Sequence, residues 1–144
     1  MNGRFKYVLL LSVVISLTCI ASVFDSQQQL TDDEIRQSVI GAWMVDNRLT
    51  NGLTIKGEVT ILSNGIFVSK TTLIFGDKRQ NDGYEGKWRV ANGYLIETIT
   101  NSDTKLHLVG KITRDKIVHV DDFKISYQTE NGKIIIRRRK VAGQ

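Results

Sequence analysis

The sequence has only two histidines, and one of them has neighbours that could take part in chemistry. His119 is followed by Asp121 and Asp122, and a histidine beside two carboxylates is half of a metal site. The same residues at the end of a strand also form a polar turn, which is the interpretation we favour. His107 lies in a predicted strand on the face opposite Leu106, so we expect its side chain to point to solvent.

Motifs of the common enzyme classes do not occur in this sequence: there is no Gly-X-Ser-X-Gly, no His-Glu-X-X-His and no phosphate-binding glycine loop. Glu58, Glu85 and Glu97 lie in predicted strands, where a pair of carboxylates could hydrolyse a glycoside. Alternation places all three on outward faces, so we interpret them as solvated. The single cysteine, Cys19, precedes the predicted mature domain. We therefore predict no catalytic residue, no metal site and no cofactor, and a protein that is not an enzyme.

The strongest charge feature is a run of four basic residues near the C-terminus, after three isoleucines. The run consists of Arg137, Arg138, Arg139 and Lys140. Seven of the 20 Lys and Arg residues lie near the two ends, and the 13 others are outnumbered by 15 acidic residues, so we expect no nucleic-acid partner. The run predicts docking on an envelope protein or an anionic surface. The alternative, which we favour, is a last strand whose charges keep it soluble.

The N-terminal segment has the pattern of a secretory signal. Residues 1–6 are short and basic, and residues 7–24 are apolar and uncharged. Cleavage after Ala21 would make residues 1–21 a signal peptide. Two alternatives stay open: residues 7–24 as an uncleaved membrane anchor, and lipidation at Cys19. In each case the folded domain is exported, periplasmic or secreted.

The mature chain is predicted to consist of a linker over residues 22–30 and one domain over residues 31–144. The domain begins with a short helix, because Thr31 and Glu34 have the spacing of a capping box. Gly41 ends this helix. The rest of the chain is predicted to be β-structure.

Four Asn-Gly pairs predict tight hairpin turns, because Asn-Gly tolerates the positive φ angles of a type I′ turn. They start at Asn51, Asn64, Asn92 and Asn131, and a longer polar loop is predicted over residues 76–83. The predicted strands are 42–49, 53–63, 66–75, 84–91, 94–101, 105–113, 116–121, 123–129 and 133–140. Eight or nine strands joined by hairpins predict an all-β, antiparallel up-and-down barrel with one short N-terminal helix. A two-sheet sandwich is the alternative fold.

Short motifs in this chain resemble those of lipocalins and of bacterial lipocalin-like (calycin-type) proteins. They are Gly41-Ala42-Trp43, Asn64-Gly65-Ile66-Phe67, Gly86-Lys87-Trp88-Arg89-Val90, Asn92-Gly93 with Leu95, and an arginine in the last strand. The resemblance covers about residues 35–140. It implies that Gly41 and Trp43 lie at the closed end of a barrel, with an arginine stacked on the indole. Alternation favours Arg138 for that role; the alternative is that Trp43 is plain core and the arginines are solvated.

Four aromatic side chains are candidates for lining a pocket inside the barrel: Tyr84, Trp88, Phe123 and Tyr127. They could equally form a packed core, which we favour. We predict an exported, non-catalytic, lipocalin-like module that binds a small apolar or amphipathic ligand in the barrel. The alternative is an envelope interaction or inhibitor module with a filled barrel and no small ligand. A third option is a hydrolase or isomerase with carboxylates or tyrosines at the mouth of the cavity.

Overall fold

The structure is a computed structural model that describes residues 30–141. This part of the chain forms one helix and eight strands. They are α1 (Asp32–Val39), β1 (Gly41–Arg48), β2 (Thr54–Ile61), β3 (Ile66–Phe75), β4 (Lys78–Ala91), β5 (Tyr94–Ser102), β6 (Ile112–Val120), β7 (Lys124–Gln128) and β8 (Ile134–Arg139). Among the described residues, no helix is long and apolar enough to cross a membrane. The predicted signal peptide (1–21), the alternative anchor (7–24) and nearly all of the linker (22–30) lie outside the described residues.

Each strand pairs antiparallel with the next, and β8 pairs with β1 to close the sheet into a barrel. This confirms the up-and-down barrel and rules out the sandwich. The described chain has eight strands rather than nine, because the predicted strand over 105–113 is wrong. Residues 103–111 form a loop. At its start, the hydroxyl of Ser102 donates to the backbone carbonyl of Thr104 at 2.8 Å and accepts the backbone N–H of Thr104 at 3.3 Å. Such local bonds compete with strand pairing.

All four Asn-Gly pairs lie in turns between strands, as predicted. Only Asn92 and Gly93 both have positive φ, of 54° and 75°, as a type I′ turn requires. In the other three turns only the glycine has positive φ, and the asparagine side chain accepts the N–H two residues on, as Asn64 does from Ile66 at 3.1 Å. These three turns are therefore not of the predicted type.

The predicted polar loop over residues 76–83 is also wrong. The β3–β4 turn is tight, and β4 starts at Lys78, which pairs with Phe75. Residues 78–83 form the first part of β4, where most side chains meet solvent. Polar side chains suit that position and do not prevent the backbone from pairing with β3.

Helix α1 covers one end of the barrel with its apolar face. The capping box is present: Thr31 and Glu34 hydrogen-bond reciprocally, and these bonds lower the pKa of Glu34 below its ordinary value. Ile35 and Val39 are buried against the barrel. The carboxylate of Asp32 accepts the backbone N–H groups of the β4–β5 turn, at 2.7 and 2.8 Å. The helix is thus attached to the closed end by its first turn and by its apolar face.

Trp43 and Arg139 seal this closed end. Trp43 is fully buried, and its indole N–H donates to the carbonyl of Val39 at 2.7 Å. The guanidinium of Arg139 lies 4.2 Å from the centre of the indole ring. Gly41 has a φ of 137°, and a Cβ atom there would collide with Nη1 of Arg139. A glycine is therefore needed for the arginine to reach the tryptophan.

The arginine that stacks on Trp43 is Arg139, so the prediction of Arg138 is wrong. Arg138 is exposed. The phase of β8 is opposite to the predicted one: Ile134 and Ile136 are about half exposed, while Arg137 is 8% exposed. Arg137 has a carboxylate and an aromatic ring beside it inside the barrel, so β8 turns Arg137 inward and leaves Ile134, Ile136 and Arg138 outside.

Candidate functional site

The barrel contains a cavity of about 310 Å³ that opens to solvent at the end opposite α1. Its apolar wall is formed by residues of β2 and β3, including Ile55, Val59 and Leu73. The volume is at the lower end of the range of about 300–1,000 Å³ that is usual for small-molecule pockets. The polar residues that line the same space are Asn47, Ser69, Thr71, Asp82, Tyr84, His107, Tyr127 and Arg137.

The main charged feature of the interior is an arginine on β8 beside a glutamate on β5. Nη1 of Arg137 lies 3.7 Å from Oε1 of Glu97, and each side chain is only 10% exposed. The guanidinium also lies 4.9 Å from the ring centre of Tyr127. The prediction that Glu97 faces outward is therefore wrong. The reason is that β5 turns Leu95, Glu97 and Ile99 towards the core, and an arginine on the facing wall compensates the charge.

Nη1 of Arg137 and Oε1 of Glu97 have no hydrogen-bond partner among residues 30–141. Their ion pair is longer than a hydrogen bond, so each atom keeps an unused donor or acceptor site. A buried polar group without a partner costs about 1–3 kcal/mol, and more when it is charged. Native structures satisfy such groups with ordered water or with a ligand.

Asp115 on β6 adds a third ionisable group to this region. Burial raises its pKa to about 6, and the nearby carboxylate of Glu97 adds to the increase. Burial also raises the pKa values of the Tyr84 and Tyr127 phenols, so both remain protonated near neutral pH. The interior therefore offers two phenol groups, one guanidinium, and carboxylates that balance or exceed its charge.

At the mouth of the cavity, the β5–β6 loop is attached to β4 by a buried carboxylate. Asp82 is 4% exposed and lies 2.7 Å from Oγ1 of Thr104 and 2.7 Å from Nε2 of His107. The imidazole ring lies against Tyr84, with ring centres 4.0 Å apart. The prediction that His107 points to solvent is thus wrong. The loop folds back over the mouth because Asp82 supplies an acceptor inside it.

Of the four aromatic residues predicted to line a pocket, two do so. Tyr84 and Tyr127 border the cavity. Trp88 is buried in the core, where its indole N–H donates to the carbonyl of Leu62 at 2.8 Å, and it does not border this cavity. Phe123 is 77% exposed, so its assignment to the interior is wrong. It lies in the β6–β7 turn, where the chain reverses before β7 begins.

The carboxylate of Asp121 organises that same turn. It lies 2.7 Å from Nε2 of His119 and accepts the N–H groups of Phe123 and Lys124 at 2.8 Å. The bond with His119 and the two backbone bonds lower its pKa to about 2. The polar turn favoured for these residues is what the structure contains. No group of three or more metal-ligating side chains occurs within the described range.

The four basic residues at the end of the chain do not form one surface. Arg137 is inside the barrel, and Arg139 lies on the closed end. Nζ of Lys140 lies 2.6 Å from Oε2 of Glu58 on the outer face of the β1–β2 sheet. Arg138 alone is a largely exposed cation of the strand. Alternation along β8 sends neighbouring arginines to opposite sides, so the four basic residues do not share one face of the barrel.

The sequence interpretation missed Arg137 with Glu97, and Asp82 with His107. No spacing rule connects these pairs, which lie 40 and 25 positions apart in the chain. One signal was present: Asp82 recurs at every second position with Tyr84, Gly86 and Trp88. Glu97 does so with Leu95 and Ile99, so alternation puts both carboxylates on the same side as apolar or small residues.

Comparison of the chain with protein-family models finds no match, and comparison with curated proteins finds none either. What the protein does is therefore argued from the closed barrel, its cavity and the polar groups inside.

Proposed function

We propose that this protein is an exported, non-catalytic barrel that binds a small apolar or amphipathic molecule in its interior. The observation that carries the proposal is the cavity of about 310 Å³ with an apolar wall and a few convergent polar groups. This combination is typical of binding sites for small molecules. The resemblance of the Gly41-Ala42-Trp43 motif to lipocalin-like proteins supports the same proposal at the level of the fold.

Binding rather than catalysis is favoured because the charged groups at the cavity have structural partners in the barrel. Asp82 holds Thr104 and His107 at the mouth, and Glu97 compensates Arg137. These contacts attach a loop and balance a charge. The export part of the proposal rests on the pattern of residues 1–24, and an intact mass lacking residues 1–21 would support it.

Native mass spectrometry of the protein, purified gently from its own host, tests the proposal. We expect a bound small molecule that leaves when the protein unfolds. Thr71→Trp should abolish this extra mass, because Thr71 borders the cavity and an indole would fill it. Thr72→Trp is the matched control. Because side chains alternate along β3, the side chain of Thr72 points to the outer face and does not border the cavity. A mass without ligand, followed by no uptake of 1-nonanol or nonanoate, would contradict the proposal.

One observation favours the alternative of docking on another envelope protein. Phe123, Ile134 and Ile136 present apolar side chains that are 77%, 49% and 51% exposed. A partner that covered these side chains would remove their apolar surface from water, which favours association. A partner that co-purifies with the ligand-free protein, and is lost in both Phe123→Asp and Ile136→Asp, would favour this function instead.

A further inference from the structure

The β5–β6 loop lies at the open end of the barrel, opposite α1, and its apolar side chains face solvent. Leu106, Leu108, Val109 and Ile112 are each more than half exposed. Single exposed apolar side chains are common on protein surfaces, but these four fall within seven consecutive residues. Covering them would remove a concentrated apolar surface from water, so the loop is a candidate for contact with an apolar partner.

The loop is attached to the barrel near both of its ends. Near its start, Asp82 of β4 bonds to the side chains of Thr104 and His107. Near its end, the carbonyl of Leu108 accepts the N–H of Lys111 at 3.0 Å, which closes a β-turn. The exposed apolar side chains are therefore presented by a backbone that the barrel holds in place.

The charge of the same segment is entirely positive. Residues 104–114 contain Lys105, Lys111 and Arg114 and no Asp or Glu. All three basic side chains are exposed, and none of them forms an ion pair with a carboxylate of residues 30–141. The closed end has the opposite character, since α1 begins with three acidic residues and two more lie in the β6–β7 turn. The open end thus combines positive charge with apolar side chains, which complements a surface that is anionic outside and apolar beneath.

We propose that the β5–β6 loop docks the open end of the barrel on the surface of an anionic phospholipid bilayer. Leu108 and Val109 enter the boundary between head groups and acyl chains, while Lys105 and Lys111 lie among the lipid phosphates. Binding of this kind strengthens with the apolar area that is buried and with the attraction of basic residues to anionic lipids. A nucleic acid would match the charges but leave the apolar side chains in water.

Docking in this orientation brings the mouth of the cavity against the bilayer. Leu106 and His107 belong to the loop and also line the cavity. An apolar molecule then passes between the bilayer and the cavity without crossing bulk water. The docking itself goes beyond the proposed function and does not require it, because an empty barrel presents the same loop.

The test places a fluorescent reporter on the loop and another at the opposite end of the barrel. Leu108→Trp and Phe123→Trp each put an indole at an exposed apolar position, whereas Trp43 and Trp88 are buried. The purified variants are mixed with vesicles of equal parts phosphatidylglycerol and phosphatidylcholine, or of phosphatidylcholine alone. The signal depends on the surroundings of the indole, so attachment of a vesicle to another part of the chain does not produce it.

We expect the emission of Leu108→Trp to shift to shorter wavelength with the anionic vesicles only. Most of the shift should be lost when the salt concentration rises from about 0.1 M to about 1 M, because the Debye length then falls from about 10 Å to about 3 Å. The emission of Phe123→Trp should not change with either vesicle.

Charge reversal measures the contribution of the two lysines in the Leu108→Trp background. Lys105→Glu with Lys111→Glu should raise the lipid concentration that gives half of the shift at least about tenfold. Lys87→Glu with Lys124→Glu is the matched control, because both lysines are exposed, both lie towards the closed end, and the net charge changes by the same amount. This control should bind the vesicles much as the background protein does.

Three results would overturn the proposal. The first is a shift of Phe123→Trp as large as that of Leu108→Trp, which would mean that another face meets the bilayer. The second is no shift of Leu108→Trp with either vesicle, which would exclude the bilayer and leave a protein as the partner of the loop. The third is an equal loss in the two double variants, which would show that the lysines of the loop do not select anionic lipid.

Discussion

Replacement of Arg139 by alanine should destabilise the barrel strongly, because this side chain joins the helix, the start of the first strand and the β6–β7 turn. Its guanidinium donates to the carbonyls of Asp122 at 2.8 Å, Ile40 at 2.9 Å and Ser38 at 2.8 Å, and it stacks on Trp43. Hydrogen bonds from a charged group contribute about 1.5–3 kcal/mol each, and a cation–π contact adds about 0.5–2 kcal/mol. The low ends of these ranges sum to about 5 kcal/mol, and because Arg139 is partly exposed and screened by solvent, we expect a loss of about 3–5 kcal/mol.

The measurement is urea unfolding followed by tryptophan fluorescence, with thermal unfolding as a second probe. The loss corresponds to a decrease in Tm of about 12–20 °C, at roughly 4 °C per kcal/mol for a domain of this size. Arg139→Lys keeps the charge but cannot reach three carbonyls from one planar group, so it should lose about 2 kcal/mol. Arg138→Ala is the matched control, because the neighbouring arginine is exposed, and it should change stability by less than about 0.5 kcal/mol.

Equal losses for the two alanine variants would refute this reasoning, as would a loss below about 1 kcal/mol for Arg139→Ala. Either result would mean that the end of the barrel is sealed by the apolar contacts of the helix alone. Both variants replace an arginine of β8 by alanine at adjacent positions, so they lose the same charge and the same strand propensity. A difference in their stability therefore reports the contacts of the Arg139 side chain.

Three further predictions concern the interior and the closed end. The pKa of Asp115 is about 6 in the folded protein and 3.8 in the unfolded chain, so stability falls as pH rises from about 4 to 6. In urea unfolding, Asp115→Asn should therefore raise the stability by about 1–2 kcal/mol at pH 8, after allowance for solvent screening. At pH 4 it should leave the stability unchanged. Asp32→Ala should lose about 1–2 kcal/mol through its two bonds to the β4–β5 turn, against about 0.5 kcal/mol for Asp33→Ala. Gly41→Ala should lose at least about 2 kcal/mol in wild type and less in an Arg139→Ala background, where the collision is relieved.

Each of these expectations has a clear contrary result. A stability difference between Asp115→Asn and wild type that is the same at both pH values would show that the carboxyl titrates normally. Equal effects of the two helix aspartates would mean that the turn contacts contribute nothing. Additive effects of Gly41→Ala and Arg139→Ala would show that the glycine is required only for its backbone angle.

The features that were predicted correctly depend on chemistry between near neighbours in the chain. The capping box of Thr31 and Glu34 and the four Asn-Gly turns each involve residues within four positions of one another. Eight hairpin-linked strands then leave few ways to satisfy the sheet edges, so the closed barrel followed from the turns. Even here the turn type needed the structure, because the φ of Asn is set by the twist and register of the strands that it joins.

The features that were missed depend on what lies across the barrel. Alternation assigns a side by assuming that apolar residues face in, and β8 breaks that assumption with three isoleucines followed by three arginines. Glu97 and Tyr127 decide which side chains of β8 face inward, because they give Arg137 a counter-charge and a ring to pack against. His107 was misplaced for the same reason, since its partner Asp82 comes from a hairpin 25 residues earlier.

The interior charges bear on function because stability alone does not explain why they are there. A buried ion pair commonly stabilises a fold less than apolar residues of similar volume, since the cost of removing both charges from water exceeds their attraction. The geometry of Arg137 and Glu97 is not even optimal for pairing, because 3.7 Å leaves a donor and an acceptor unused. A barrel selected for stability alone would fill this space with aliphatic side chains, as it does at the other end around Trp43 and Phe67. The contrast between an end packed and closed by Trp43 and Arg139 and an end with an open, polar cavity, within the same eight strands, points to the Arg137 side as the place for a ligand.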